Sequence, residues 1–153
     1  VFNNVTYNVD GDGYLVYNHP GGDAAGGTVD NVIFVNNTAY DTGHRHSGYG
    51  GFRVNHEKAT GIVFRNNVAW GNNGYDIRGE SETTIENNLC RESFCEVRAD
   101  PQFVGASAGN FRLLTTSPAI DRGTSLGAPS VDLDGVARPQ GVAVDLGAFE
   151  VRR

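Results

Sequence analysis

The chain has 153 residues, 39% of them hydrophobic and 20% charged, with a formal net charge of −6. Size and composition suit one globular domain with a buried core and exclude a disordered chain. The negative balance disfavours nucleic acid, whose phosphates need clustered Lys and Arg, and would repel a polyanionic sugar unless a cation bridges the two. No stretch approaches the roughly eighteen apolar residues of a membrane span, and no charged-then-apolar leader opens the chain. A start at Val1 points to a processed or excised chain.

Twenty-one glycines, a single lysine and no methionine argue for short strands and tight turns with almost no helix. The predicted elements repeat. Val1-Phe2-Asn3-Asn4-Val5-Thr6-Tyr7 returns as Phe34-Val35-Asn36-Asn37-Thr38-Ala39-Tyr40, as Phe64-Arg65-Asn66-Asn67-Val68-Ala69-Trp70 and as Ile85-Glu86-Asn87-Asn88-Leu89-Cys90-Arg91. Strand alternation places Val1, Phe34, Phe64 and Ile85 inward, followed by the first asparagines and then Val5, Thr38, Val68 and Leu89. Phe2, Val35, Arg65 and Glu86 face outward, toward solvent or a variable neighbour.

A second strand follows each asparagine pair: Gly13-Tyr14-Leu15-Val16, Gly51-Phe52-Arg53-Val54 and Gly74-Tyr75-Asp76-Ile77. Its inward column is aromatic, then β-branched. Two strands per repeat in fixed order predict an all-β fold, a right-handed parallel β-helix of three to four coils over residues 1–97. Asparagine suits the bend because it tolerates left-handed backbone and its amide can donate to one coil and accept from the next. Four unrelated Asn-Asn turns on a β-sandwich are the alternative.

Between the strands the loops differ in length, and Asp41 to Gly50 is the longest, carrying His44 and His46. With His56 these suggest a metal or an acid–base pair, against the plainer reading of solvated loop residues. The Gly-rich excursion at residues 18–28 reads as a bulge, and Lys58 as a surface partner of Glu57. Cys90 and Cys95, five apart, either close a small loop as a disulfide or pack as two thiols. Beyond Val97 the period is lost, and residues 98–153 are expected to cap one solenoid end. Asp132-Leu133-Asp134-Gly135 reads as a turn rather than a calcium loop. Val1 enters in mid-repeat with no equivalent cap, so the expectation is either the C-terminal end of a longer solenoid or a partner over the open coil, such as a homodimer stacked through the first coils.

The frame Asn-Asn-x-Ala-Tyr or Trp, followed by Gly-Tyr or Gly-Phe, resembles the later coils of family 9 pectate lyases and related secreted right-handed parallel β-helix proteins. The tail, from Asp100-Pro101 through Ser117-Pro118-Ala119-Ile120-Asp121 to Asp145-Leu146-Gly147-Ala148-Phe149-Glu150, is similar to the C-terminal segment of bacterial secreted or surface β-helix proteins. The resemblance implies an extracellular or cell-surface protein acting on acidic polysaccharide by calcium-assisted β-elimination. It places Arg53 on the catalytic base and Asp10 and Asp12 on the calcium ligands. The family's base in this motif is lysine, and Leu15 stands where a further carboxylate is expected.

Two other classes compete with the lyase. One is a non-catalytic sugar-binding module whose strip comprises Tyr17, Asn55, Arg78, Asp76 and His56 around Arg53; the other is a structural or adhesive surface module. In the plainer reading Arg53 and Asp76 form an exposed ion pair. Glycoside hydrolysis by Asp10 with Asp12 or Asp41 has no distinguishing motif.

Overall fold

In the computed structural model, which describes residues 1–17, 27–45, 47–56 and 58–153, the protein is all-β and its three principal sheets are parallel. The chain visits the sheets in a fixed order. Strands β1 (Val5–Val9), β2 (Tyr14–Tyr17), β3 (Val29–Asp30) and β4 (Ile33–Val35) form the first round. β5 (Thr38–Thr42), β6 (Gly50–Asn55), β7 (Ala59–Thr60) and β8 (Ile62–Arg65) repeat it, and β9 (Val68–Trp70), β10 (Tyr75–Arg78) and β11 (Thr83–Glu86) repeat it again. Each pairs with its counterparts, giving sheets β1-β5-β9, β2-β6-β10 and β4-β8-β11 and the short pair β3-β7. A sandwich of antiparallel strands does not fit these pairings.

Left-handed residues mark the bends in columns. Asn3, Asn36, Asn66 and Asn87, with φ between 51° and 55°, stand before the first sheet; Asn8, Asp41 and Gly71 stand at its far end; Asn31 and Gly61 precede the third. Asparagine and aspartate adopt this backbone more readily than other L-residues, which explains the residue types at these bends.

The two asparagines of each pair divide the work expected of one. The first takes the positive φ, and the second carries the amide ladder. Asn37 Oδ1 accepts from Asn4 N (3.0 Å) and Asn4 Nδ2 (3.0 Å); Asn67 Oδ1 accepts from Asn37 N (2.9 Å) and Asn37 Nδ2 (3.2 Å). Asn88 Oδ1 accepts from Asn67 N (2.9 Å) and Asn67 Nδ2 (3.1 Å), and Glu96 Oε2 closes the series on Asn88 N at 2.9 Å. Asn37, Asn67 and Asn88 are fully buried.

The left-handed residue also shifts the alternation, and this corrects the expected facing of one column. Ala39, Ala69 and Cys90 enter the interior core, with Phe34, Phe52, Phe64, Val54 and Ile77. Val68 and Leu89 instead face outward, packed with Leu113, Ala119 and Leu146 of the C-terminal segment. Both faces of the β1-β5-β9 sheet are therefore covered. Phe34, Phe64 and Ile85 do point inward as expected, and Tyr14 stacks on Phe52 with centroids 4.5 Å apart.

The C-terminal segment includes the antiparallel pair β12 (Phe103–Gly105) and β13 (Asn110–Leu113), joined through a 3-10 turn at Ala106–Ala108. Rather than closing one end, it runs along the flank of all rounds. Asn36 Nδ2 donates to the Asp145 and Gly147 carbonyls, Asn66 Nδ2 to Thr124 O, and Asn3 Nδ2 to Val131 O. Arg65, outward yet buried, binds Glu86 and the Leu126 carbonyl. The variable neighbour of that outward column is this segment. Asp132 Oδ1 accepts from Asp134 N and Val136 N, the turn expected of that motif. Cys90 and Cys95 form a disulfide.

A buried ionic knot fastens the segment. Arg138 donates to Glu150 Oε2 (2.8 Å) and to the Gly147 carbonyl (2.9 Å), and both charged side chains are almost wholly enclosed. Beside them Asp145 accepts from Asp121 N and Val151 N, each at 2.8 Å. Burial outweighs these bonds and pushes the Asp145 carboxyl up from 3.8 to about 6. Between those values the folded chain holds a proton that the unfolded chain has lost. The stability this group contributes is thus fully present below 3.8 and is lost as pH rises through about 6. Denaturant titration checks the sign: across that window the wild type should lose roughly 2–3 kcal/mol relative to Asp145→Asn. A difference that grows in favour of the wild type as pH rises contradicts the assignment.

Candidate functional site

The outer face of the β2-β6-β10 sheet carries a cleft of about 440 Å³. Its floor follows from register: Leu15 pairs with Arg53 and Arg53 with Arg78, while Tyr17 pairs with Asn55. Alternation sends this column outward, because Tyr14, Phe52 and Ile77, one residue earlier in each strand, fill the core. Gly48 and Tyr49, from the longest loop, form the remaining wall. Four residues of the expected strip, Tyr17, Arg53, Asn55 and Arg78, thus line one cavity.

Asp76 and His56 do not join them. The repeat aligns Tyr75-Asp76-Ile77 with Phe52-Arg53-Val54, but in the structure Tyr75 pairs with Gly50 and Ile77 with Phe52. This two-residue shift sets Asp76 level with Gly51, at the start of the strand and away from Arg53, and there it is fully buried. It accepts from Arg91 Nε at 2.8 Å and from Asn72 Nδ2 at 2.9 Å, so the expected Arg53–Asp76 pair is not formed. Gly50 and Gly51 permit the approach, since a Cβ on either would collide with the Tyr75 or Asp76 carbonyl. His56 is also buried, with Nδ1 receiving Lys58 N at 3.2 Å. His44 is exposed, with Nε2 3.1 Å from Asp41 Oδ1; His46 and Glu57, and the excursion at 18–26, lie outside the described residues.

Behind the cleft Asp12 organises the wall. Oδ1 accepts from Gly50 N (2.8 Å) and lies 2.8 Å from the Tyr75 hydroxyl, while Oδ2 is 3.4 Å from Arg53 Nη1. Its side chain is 2% exposed. Burial and the bond to Asp12 raise the Tyr75 pKa, so the phenol stays protonated and donates. The Arg53 guanidinium lies 6.0 Å from the Tyr49 ring centroid, and its buried Nε has no partner among the described residues. Arg78 stands over the Tyr75 ring at 5.9 Å and, among the described residues, has no carboxylate within ion-pair reach.

Two expected roles do not fit this geometry. A general base must be free of its proton near neutral pH, whereas guanidinium groups are very weak acids that stay charged, and Arg53 lies beside the buried Asp12 carboxylate. Calcium wants six to eight oxygens. Both Asp12 oxygens are engaged by protein donors, Asp10 is exposed, and no three His, Cys, Asp or Glu side chains converge among the described residues.

Compared with known protein families, curated proteins and solved structures, the chain matches none. Its reading therefore rests on the cleft itself. Tyr49 and the Tyr75–Asp12 bond were not singled out from the sequence; the signal was the loop length, which marks Asp41 to Gly50 without saying which side chain turns inward.

With both Asp12 oxygens engaged by protein donors, millimolar calcium should leave the thermal midpoint unchanged. Asp12→Ala should lower stability by about 2–4 kcal/mol, because Gly50 N, Tyr75 and Arg53 lose their acceptor together. A midpoint that climbs with calcium concentration, and stops climbing in Asp12→Ala, contradicts this placement.

Proposed function

We propose that the chain is a right-handed parallel β-helix domain that binds acidic polysaccharide at the Arg53–Arg78 cleft without cleaving it. The repeated order of the parallel sheets and the columns of bends support the β-helix, in which β1-β5-β9, β2-β6-β10 and β4-β8-β11 are the walls of successive coils. The observation that carries the function is the pairing of Arg53 with Arg78 on adjacent strands, in one cavity with Tyr17, Tyr49 and Asn55.

Guanidinium groups on neighbouring strands, about 4.8 Å apart, match a sugar carboxylate better than a single ammonium would. Arg78 supplies a charge that no described carboxylate pairs, and Arg53 is held in place by Asp12. Tyr17 and Tyr49 offer ring faces to a pyranose, and Asn55 offers an amide to its hydroxyls. In a chain of charge −6 this is a local basic spot that favours an anionic ligand over the acidic remainder. The Cys90–Cys95 disulfide supports an extracellular or cell-surface location.

The guanidinium groups of the cleft, with no cluster of three His, Cys, Asp or Glu among the described residues, favour binding over β-elimination. Isothermal titration with an oligogalacturonide and an oligoguluronate should show binding that weakens as salt rises. Arg78→Ala should cost about tenfold or more in affinity. An ultraviolet assay for unsaturated uronate should stay flat with and without calcium. Absence of binding to every polyuronate tried, or product formation, would falsify the reading.

A further inference from the structure

We propose a second glycan site, on a different flank of the molecule, that takes an uncharged oligosaccharide. It does not rest on the Arg53–Arg78 reading. The β1-β5-β9 sheet places Tyr7, Tyr40 and Trp70 in one register column, two residues beyond the Val5, Thr38 and Val68 column that the C-terminal segment covers. The three rings therefore lie where that cover ends.

Two clefts open along them. One, of about 370 Å³, lies between Tyr40, Trp70 and Phe103, with Asp100 and Gln102 at its rim. The other, of about 300 Å³, lies between Tyr7 and Tyr40, with Asn8, Asp41 and Ser107. Tyr40 is the wall they share, so the two clefts adjoin. At about 4.8 Å per strand, the column from Tyr7 to Trp70 spans about 10 Å, room for a short run of sugar units.

Each ring is held from behind. Phe111 packs on Tyr7 at 4.9 Å and on Tyr40 at 5.5 Å, and Phe103 meets Tyr40 edge-on at 5.8 Å. Trp70 leans on the cluster of Val68, Leu89 and Leu146. Rings fixed in this way lose little further freedom when a ligand stacks on them. Their electron-rich faces suit the partly positive C–H groups of a pyranose. None of the Tyr7, Tyr40 and Trp70 polar tips has a bond to a described residue, so they are available to sugar hydroxyls together with the Gln102 amide, whose Oε1 alone is engaged, by Thr116.

Charge selects the class of sugar. The charged side chains lining these clefts are Asp41 and Asp100, with no Lys or Arg among the lining residues. A uronate is repelled here, whereas neutral hydroxyls find carboxylate acceptors. The same chain then contacts an acidic and a neutral glycan on separate flanks.

Trp70 is the sole tryptophan, so its fluorescence reports on this site alone. Titration with cello-, xylo-, manno- and malto-hexasaccharides should give a saturable emission change with at least one of them, insensitive to salt. Tyr40→Ala should weaken that change about tenfold or more, the loss of one stacking ring. Tyr40→Phe, which keeps the ring and the fold, should retain binding within a few-fold, and Arg78→Ala should leave it unaltered. No response to any neutral oligosaccharide at millimolar concentration overturns the proposal. So does a response that Tyr40→Ala leaves intact while circular dichroism stays native, or one seen only with uronates and abolished by salt.

Discussion

A carboxamide that accepts two N–H groups from one round of the chain, while its own N–H groups reach another, is the constraint on which this structure depends. Asn37 and Asn67 repeat that arrangement at successive levels, the donors of each filling the acceptor of the next, and Asn88 ends the series. An unpaired amide at such a buried position costs on the order of 1–3 kcal/mol. A slip of one residue in any strand would leave several unpaired at once. The ladder therefore sets register as well as adding stability, and register is what assembles the Arg53–Arg78 pair and the Tyr7–Tyr40–Trp70 column.

The ladder alone does not complete the fold. The β1-β5-β9 sheet shows apolar side chains on both faces, and only one face looks into the interior. The C-terminal segment covers the other face and bonds to Asn3, Asn36 and Asn66, the residues whose left-handed backbone leaves their amides pointing outward. Each Asn-Asn pair thus works in two directions, the second residue toward its own column and the first toward the tail. The Arg138–Glu150 pair, deeply enclosed, then locks the tail's shape.

Much of this was legible in the sequence because repetition amplifies weak signals. Four copies of one frame identify the strands, their order and the interior positions Phe34, Phe64, Tyr14 and Phe52. What was not legible came from single residues that break the period. A left-handed asparagine shifts alternation downstream, so Val68 and Leu89 face outward while Ala69 faces in. In the third round the shorter loop displaces register by two, setting Asp76 level with Gly51, buried against Arg91 and removed from the cleft that Arg53 and Arg78 share. The resemblance marks Asp12 as a calcium ligand, but its partners in the fold, Gly50 N and the Tyr75 hydroxyl, come from distant rounds that no local motif connects. Glu96, which ends the ladder, carries no pattern at all.

Side-chain amide exchange followed by NMR on uniformly labelled protein tests the ladder most directly. The Nδ2 protons of Asn37 and Asn67, buried and bonded between rounds, should exchange far more slowly than those of Asn73, an exposed residue whose amide reaches only the Gly43 carbonyl. Exchange of all three at the same fast rate would show that the carboxamides do not hold the rounds in register.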